Sequence, residues 1–263
     1  DWLRANTPAD ASVALIEIGI IGYGADRTVV DTMGLVTPAM VGHLEAWEQT
    51  LAYALARLHP DYAVALEGTA WDGLIGRDWF RDAYGIAARL PAPGPGARAA
   101  TIYRRTHDPD APPAVALRPP LDAGDVARLE AFTVQDVRLQ PGELLAGRIA
   151  WRALRRPDAD YRQRVELRHA RTGQVHVLSQ DHPLQGYGPT SGWQTGEVVE
   201  DARPWRLPID LAPGPYLLRV TLIDAEETPL PFRDAQGVPA GGALGPLWVG
   251  APDPTVAETS LVA

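Results

Sequence analysis

The stretch from Val13 to Pro38, VALIEIGIIGYGADRTVVDTMGLVTP, does most to restrict what this chain can fold into. Val13 to Ile18 is an apolar run of the length expected for a buried parallel strand. Gly19, Gly22 and Gly24 punctuate a tight connection, and Thr28 to Val30 reads as a second strand. Thr37 then offers an N-cap and Pro38 a first helical position. Met40, Leu44, Trp47, Leu51, Leu55 and Leu58 follow at helical spacing, one apolar stripe of a helix that ends before Pro60. Strand, short helical turn, strand and long helix make an α/β layer. Glu17 and Asp31 fall at or just past strand ends, where open α/β sheets form ligand crevices.

The rest of the first half extends that layer. Tyr62 to Leu66 reads as a third strand, Trp71 to Tyr84 as a loop and short helix, and Ile86 to Leu90 with Ala99 to Tyr103 as antiparallel strands around APGPGA. His107 to Pro120, HDPDAPPAVALRPP, holds five prolines and two aspartates and reads as a linker. The expected organisation is a small α/β layered domain over 1–108, a proline-rich linker over 109–120, and a β-sandwich (Ig-like or jelly-roll-like) over 121–263 with an irregular C-terminal tail. Strands of the sandwich are expected at 131–139, 144–152, 161–170, 174–179, 197–210, 216–224 and 244–249. Trp205, Leu207, Ile209 and Leu211 alternate strictly, as do Tyr216, Leu218, Val220 and Leu222.

Composition narrows the function classes. A formal charge of −9 and a pI near 5.1 argue against nucleic-acid partners, which favour a basic face, and against anionic membrane surfaces. All 24 basic residues are arginine, which excludes Schiff-base and phosphate-loop lysine chemistry. With no cysteine, thiol catalysis, disulfides and thiolate metal sites are excluded too. No run approaches the ~18 apolar residues that span a bilayer. The chain starts at Asp1-Trp2 without methionine, its first residues read as the last turns of a helix, and an upstream part holding membrane spans is expected.

Several constellations invite a functional reading. The glycines at 19, 22 and 24 spell GxxGxG, the reverse of the GxGxxG dinucleotide spacing, and Asp31 comes well short of the ~20-residue offset of a ribose-binding acid. A structural turn is the better reading. Glu17 and Asp31 could bind a cation or sugar hydroxyls, or either could cap backbone amides or pair with Arg27; Tyr23 could stack on a sugar or cover the sheet edge. His169 and His176 flank a hairpin. A three-residue loop, Arg171 to Gly173 with Gly173 left-handed, would pair His169 with Val175 and Leu167 with Val177, pointing the histidines to opposite sides. No metal and no cofactor is expected. In the loop Gly186 to Trp193, Tyr187 and Trp193 could be carbohydrate-stacking planes, against a reading in which Trp193 tucks under the sandwich edge.

Two stretches carry a family resemblance. WLRANTPADASVALIEIGIIGYGADRTVVDTMGLVTP resembles the segment after the last membrane span in bacterial polytopic glycosyltransferases of the protein-mannosyltransferase and aminoarabinose-transferase type. There a WLRxNTP helix end, a strand with EIGxxGY and a D-xx-GL element recur. YGPTSGWQTGEVVEDARPWRLPIDLAPGPYLLRVTLID resembles the extracytoplasmic β-domain that ends such proteins in Chloroflexi-like bacteria. The resemblance implies an integral-membrane, lipid-linked-sugar-dependent glycosyltransferase or a relative of unknown activity. The family's catalytic acid sits on an extracytoplasmic loop of the membrane part, so no catalytic residue transfers to this chain. Glu17, Gly19, Gly22, Tyr23, Asp31 and Gly34 match the shared pattern without a catalytic role.

The expectation is therefore a non-catalytic, extracytoplasmic accessory region of a membrane glycosyltransferase-like protein, anchored at the cell membrane by the upstream transmembrane region of the same protein. It could touch glycan, acceptor or lipid-linked sugar, with Glu17, Tyr23, Asp31, Tyr187 and Trp193 as the candidate ligand-binding residues. The rivals are a soluble carbohydrate-active enzyme using Glu17 and Asp31, and a pure adhesion or assembly module.

Overall fold

A computed structural model of the chain describes residues 1–41, 47–117 and 120–250. They form an α/β layered unit followed by a β-sandwich unit, Asp1–Asp108 and Pro109–Ala263. The helix-stripe residue Leu44 and the C-terminal tail beyond 250 lie outside the described residues.

In chain order the first unit holds helix α1 (Trp2–Asn6), strand β1 (Ser12–Leu15), a π-helical turn (Ile18–Gly22) continued by α2 (Tyr23–Ala25), and β2 (Thr28–Asp31). A 3₁₀ turn (Pro38–Met40) comes next, then α3 (Trp47–Leu58), β3 (Tyr62–Leu66), α4 (Trp71–Ile75), α5 (Asp78–Ala83), β4 (Tyr84–Leu90) and β5 (Ala100–Arg105). The sheet order is β2-β1-β3-β5-β4, with β1, β2 and β3 parallel and β5 and β4 antiparallel to their neighbours. One face buries Val13, Leu15, Tyr62, Val64 and Ile102 beneath α1 and the β1–β2 crossover, whose Ile18 and Ile21 pack inward. The other face presents the small residues Ala14, Ala63 and Ala65 beside Tyr103, all buried. Phe80 of α5 meets Tyr103 edge-on and stacks on Tyr84. Small strand residues there leave room for helices to approach closely, and the aromatic ring contacts fill the gap.

Two expectations about this half need correction. Thr37 and Pro38 do not open the long helix: Pro38–Met40 is an isolated 3₁₀ turn ending in an extended Val41, and Thr37 makes no capping bond. Its hydroxyl instead accepts the Asp31 amide at 2.8 Å. Trp47, assigned to the buried stripe, is 58% exposed at the start of α3.

The second unit begins inside the supposed linker. Strand β6 (Val115–Ala116) pairs with β8, so part of the proline-rich stretch belongs to the sandwich. The Ala114 and Leu117 amides extend that pairing to the carbonyls of Val134 and Phe132. The remaining strands are β7 (Leu121–Ala123), β8 (Ala127–Val134), β9 (Arg138–Leu139), β10 (Leu144–Ala153), β11 (Arg162–His169) and β12 (Val175–Asp181). After them come β13 (Val198–Arg206), β14 (Gly214–Ile223), β15 (Phe232–Arg233) and β16 (Ala243–Val249). One sheet runs β13-β10-β8-β7-β15 with β6 beside β8; the other runs β12-β11-β14-β16-β9. Leu145, Ile149 and Trp151 of the first sheet and Tyr216, Leu218, Val220 and Leu222 of the second are all buried. Gly147 is obligatory in that row, because a Cβ there would lie 2.4 Å from the Thr133 carbonyl oxygen and 2.9 Å from the Trp205 ring. The row Trp205 to Leu211 breaks at Ile209, which is 85% exposed because β13 stops at Arg206 and the chain turns.

The sheets also share a buried polar network. Trp151 Nε1 donates to Gln163 Oε1, and Gln163 Nε2 to Asp201 Oδ2. Arg203 donates from both terminal nitrogens to Asp181. Burial pushes the Asp201 carboxyl above its ordinary range against the pull of Arg203.

Candidate functional site

The sequence concentrates its candidate residues on the connections that leave the carboxyl ends of β1 and β2. These strands are adjacent and parallel, so both connections start side by side. Asp31, the last residue of β2, is fully buried. Its Oδ1 accepts the Met33 amide and its Oδ2 the Val36 amide, each at 2.9 Å. Thr32 fastens the same loop through its amide and hydroxyl to the Leu15 carbonyl. A carboxylate at the start of a turn accepting amides two and five residues on is an Asx-type brace. Asp31 is thus enclosed by the loop it shapes and presents no oxygen to a ligand. Glu17 is exposed, and Tyr23 is 93% exposed on the crossover.

What the braced loops present is apolar. Ile20 is 92% exposed on the first connection, and Leu35, Val36 and Val41 are exposed on the second. Residues 18–25 and 32–41 contain no charged side chain. Trp47 joins them by topology. Leu58 ends α3 four residues before β3 begins, so α3 runs back from the carboxyl edge of the sheet toward its amino edge and starts at the edge where these loops emerge. Isolated exposed apolar residues are ordinary, whereas several on adjoining charge-free stretches are what an interaction surface presents. The signal was available in the sequence as a charge-free run through Leu35, Val36 and Val41.

The sandwich candidates are accounted for differently. Trp193 is 3% exposed and offers no open face for stacking. Its loop is stitched down by Thr190, whose hydroxyl accepts the Tyr161 amide and donates to the Ala159 carbonyl, and by the Ser191 amide donating to Asp160. Tyr187 is half-buried, and its amide donates to the Leu184 carbonyl.

The hairpin register also differs from expectation. Arg168 pairs with Val175, Leu167 with His176 and Glu166 with Val177, and the His169 amide bonds the Gln174 carbonyl. The loop therefore has one residue more than expected, although Gly173 is left-handed at φ 75°. The cause is His169 itself: its Nδ1 accepts the amides of Arg171 and Thr172, holding the longer turn closed. Val175 and Val177 consequently face solvent, and both histidines lie on the Leu167 side. The His169 ring packs edge-on against Tyr216, over Gly214, where a Cβ would come within 2.7 Å of it. No cluster of three His, Asp or Glu side chains suited to a metal occurs among the described residues, and no described helix is long and apolar enough to cross a membrane.

No curated protein matches the chain. Residues 1–109, the α/β unit with the braced apolar loops, match the family model described as a domain of unknown function, DUF8728.

Proposed function

We propose that this chain is a non-catalytic accessory region of a membrane glycosyltransferase-like protein, held at the extracytoplasmic membrane face with its α/β unit seated on the lipid surface. The observation that supports the seating is the uncharged, exposed apolar set Ile20, Leu35, Val36, Val41 and Trp47, with Tyr23 beside it. Tryptophan and tyrosine among aliphatic side chains suit the boundary between headgroups and acyl chains. Residues 18–25 and 32–41 carry no cationic side chain, and with a net charge of −9 for the chain this suits neutral rather than anionic headgroups. The glycosyltransferase-like parentage rests on the two resembling stretches, and its test is whether membrane spans are encoded in frame ahead of Asp1.

The rival carbohydrate-active enzyme needs both Glu17 and Asp31 open to substrate. Asp31 is sealed with both oxygens occupied, which counts against it. The seating is tested in the cysteine-free chain by placing a single environment-sensitive fluorophore at Leu35→Cys and, as a control at the opposite edge of the sheet, at Ala9→Cys. With phosphatidylcholine vesicles, the fluorophore at 35 should shift to the blue and brighten while that at 9 does not. Equal responses at both positions, or none at 35, would sink the seating.

A further inference from the structure

The opposite edge of the same sheet has a different character. At the amino ends of β1 and β3 and the end of β5, a cavity of about 340 Å³ is lined by Asp10, Asp61, Tyr62, Arg104, Arg105 and His107, with Asp108 at its rim. A second cavity of about 580 Å³ shares Tyr62, Arg104 and Arg105 and runs on past Trp2 and Ile86. Together they form one groove divided by those shared side chains, and each part falls within the ~300–1,000 Å³ typical of small-molecule sites.

The polar groups of the groove divide into a braced set and an unused set. Asp61 Oδ2 accepts both the amide and the hydroxyl of Ser12 at 2.8 Å, and its Oδ1 pairs with Arg105 Nη2. That fixes the Arg105 guanidinium, which is only 14% exposed. Its Nε and Nη1 have no hydrogen-bond partner, and neither of the buried ring nitrogens of the half-buried His107 has one. Asp10 and Arg104 are exposed at the mouth, and Tyr62, Pro8 and Ile86 add apolar surface. Buried donors on a guanidinium without acceptors are costly, and an acceptor supplied from outside would recover that cost.

Charge selects the kind of acceptor. Three carboxylates (Asp10, Asp61 and Asp108) face two guanidinium groups (Arg104 and Arg105). Burial, followed by the adjacent Arg105 charge, pushes His107 down to about 4, so it is neutral at pH 7. The lining therefore carries a slight negative excess, which opposes phosphate or carboxylate ligands. It combines free donors with a free carboxylate acceptor, the complement of hydroxyl groups that can both accept and donate.

We infer that this amino-edge groove binds a neutral, hydroxyl-rich ligand, a hexopyranose unit or its glycoside. Sugar hydroxyls would accept from Arg104 and Arg105 and donate to Asp10. The site goes beyond the lipid seating and does not depend on it, since a sugar titration needs no lipid and the vesicle assay needs no sugar.

The test is amide-resolved NMR titration of the full chain with methyl α-mannopyranoside and methyl α-glucopyranoside, and with inorganic phosphate as the counter-probe. At least one glycoside should give saturable shifts at residues 9–11, 61–62 and 104–108, at the roughly millimolar affinity of a single sugar ring. Arg104→Ala and Asp10→Ala, both exposed, should keep the fold and weaken binding about tenfold each, as expected for one lost hydrogen bond to a charged group. Three results would overturn the site: no saturable shifts with either glycoside, undiminished binding by Arg104→Ala, or phosphate occupying the same amides at lower concentration.

Discussion

Replacing Asp31 by Asn tests whether the loop after β2 is a braced scaffold. Asparagine keeps the shape but turns one acceptor oxygen into an NH₂ group aimed at an amide N–H. Only one of the Met33 and Val36 amides can then be satisfied. A hydrogen bond to a charged acceptor contributes about 1.5–3 kcal/mol, and stranding a buried donor costs about 1–3 kcal/mol. Asp31 is fully buried but the Val36 residue is exposed, so water can relieve part of that cost, and a net loss of about 2 kcal/mol follows. Two measurements check it. Hydrogen exchange at Met33 and Val36 should accelerate by about thirtyfold, the equivalent of 2 kcal/mol, while amides of β8 and β10 keep their protection. Urea unfolding of the α/β unit should shift by the same free energy. Unchanged exchange at both amides, with unchanged stability, would refute the brace and restore Asp31 as a candidate ligand group.

Three further outcomes follow from burial and packing. His107 titrates near 6.5 when unfolded and about 4 when folded. The unfolded chain therefore binds the extra proton between those values, and stability falls as pH drops through that window by up to about 3 kcal/mol; His107→Leu should flatten the urea midpoint between pH 6.5 and 5. Asp61 behaves in the usual carboxylate sense: burial raises its pKa, but the Ser12 and Arg105 contacts outweigh that and hold it low, so its contribution disappears only at still lower pH. Gly147→Ala should cost about 1–3 kcal/mol through overpacking against Thr133 and Trp205, read as a lowered melting temperature of the sandwich. Trp193→Ala should cost about 3–5 kcal/mol, the range for emptying a large buried aromatic site, and should leave glycoside shifts at the amino edge unaltered.

Much of the strand pattern was legible because burial imposes a period on it. Tyr62 to Leu66 coincides with β3, and Tyr216, Leu218, Val220 and Leu222 share one buried face. What local pattern could not supply was set by side chains reaching across the chain. The hairpin register hinges on His169 accepting two amides of its own loop, a contact that hydrophobic matching of Val175 and Val177 does not anticipate. Strands β6, β7 and β15 are two or three residues long and exist through their partners, below the length at which alternation is detectable. At the candidate site, Asp31 was visible as an acid at a strand end, but its partners are the amides of Met33 and Val36, which carry no sequence signature. The groove residues were missed for a related reason. Asp61 sits beside Pro60 in a turn, Arg104 and Arg105 end a strand, and His107 opens the proline-rich stretch. Only sheet pairing, with Tyr62 opposite Arg104, gathers them.

The sheet itself explains why the two edges diverge. Strand order β2-β1-β3 places a topological switch between β1 and β3, and open α/β sheets ordinarily bind ligands at the carboxyl end of that switch. In this chain the carboxyl end of β2 is occupied by the Asp31 brace, and the loops beyond it are apolar. The unpartnered nitrogens of Arg105 and His107 lie at the amino end instead, where Asp61 and Arg105 tie β3, β5 and Ser12 together. The surface proposed to meet lipid and the groove proposed to hold sugar are separated by the length of the parallel strands. At about 3.3 Å per residue, four residues of β1 and five of β3 set that separation at roughly 15 Å. A chain seated on the bilayer through Leu35 and Val36 would hold a bound sugar ring about that far above the loops, clear of the acyl chains and within reach of the headgroup layer.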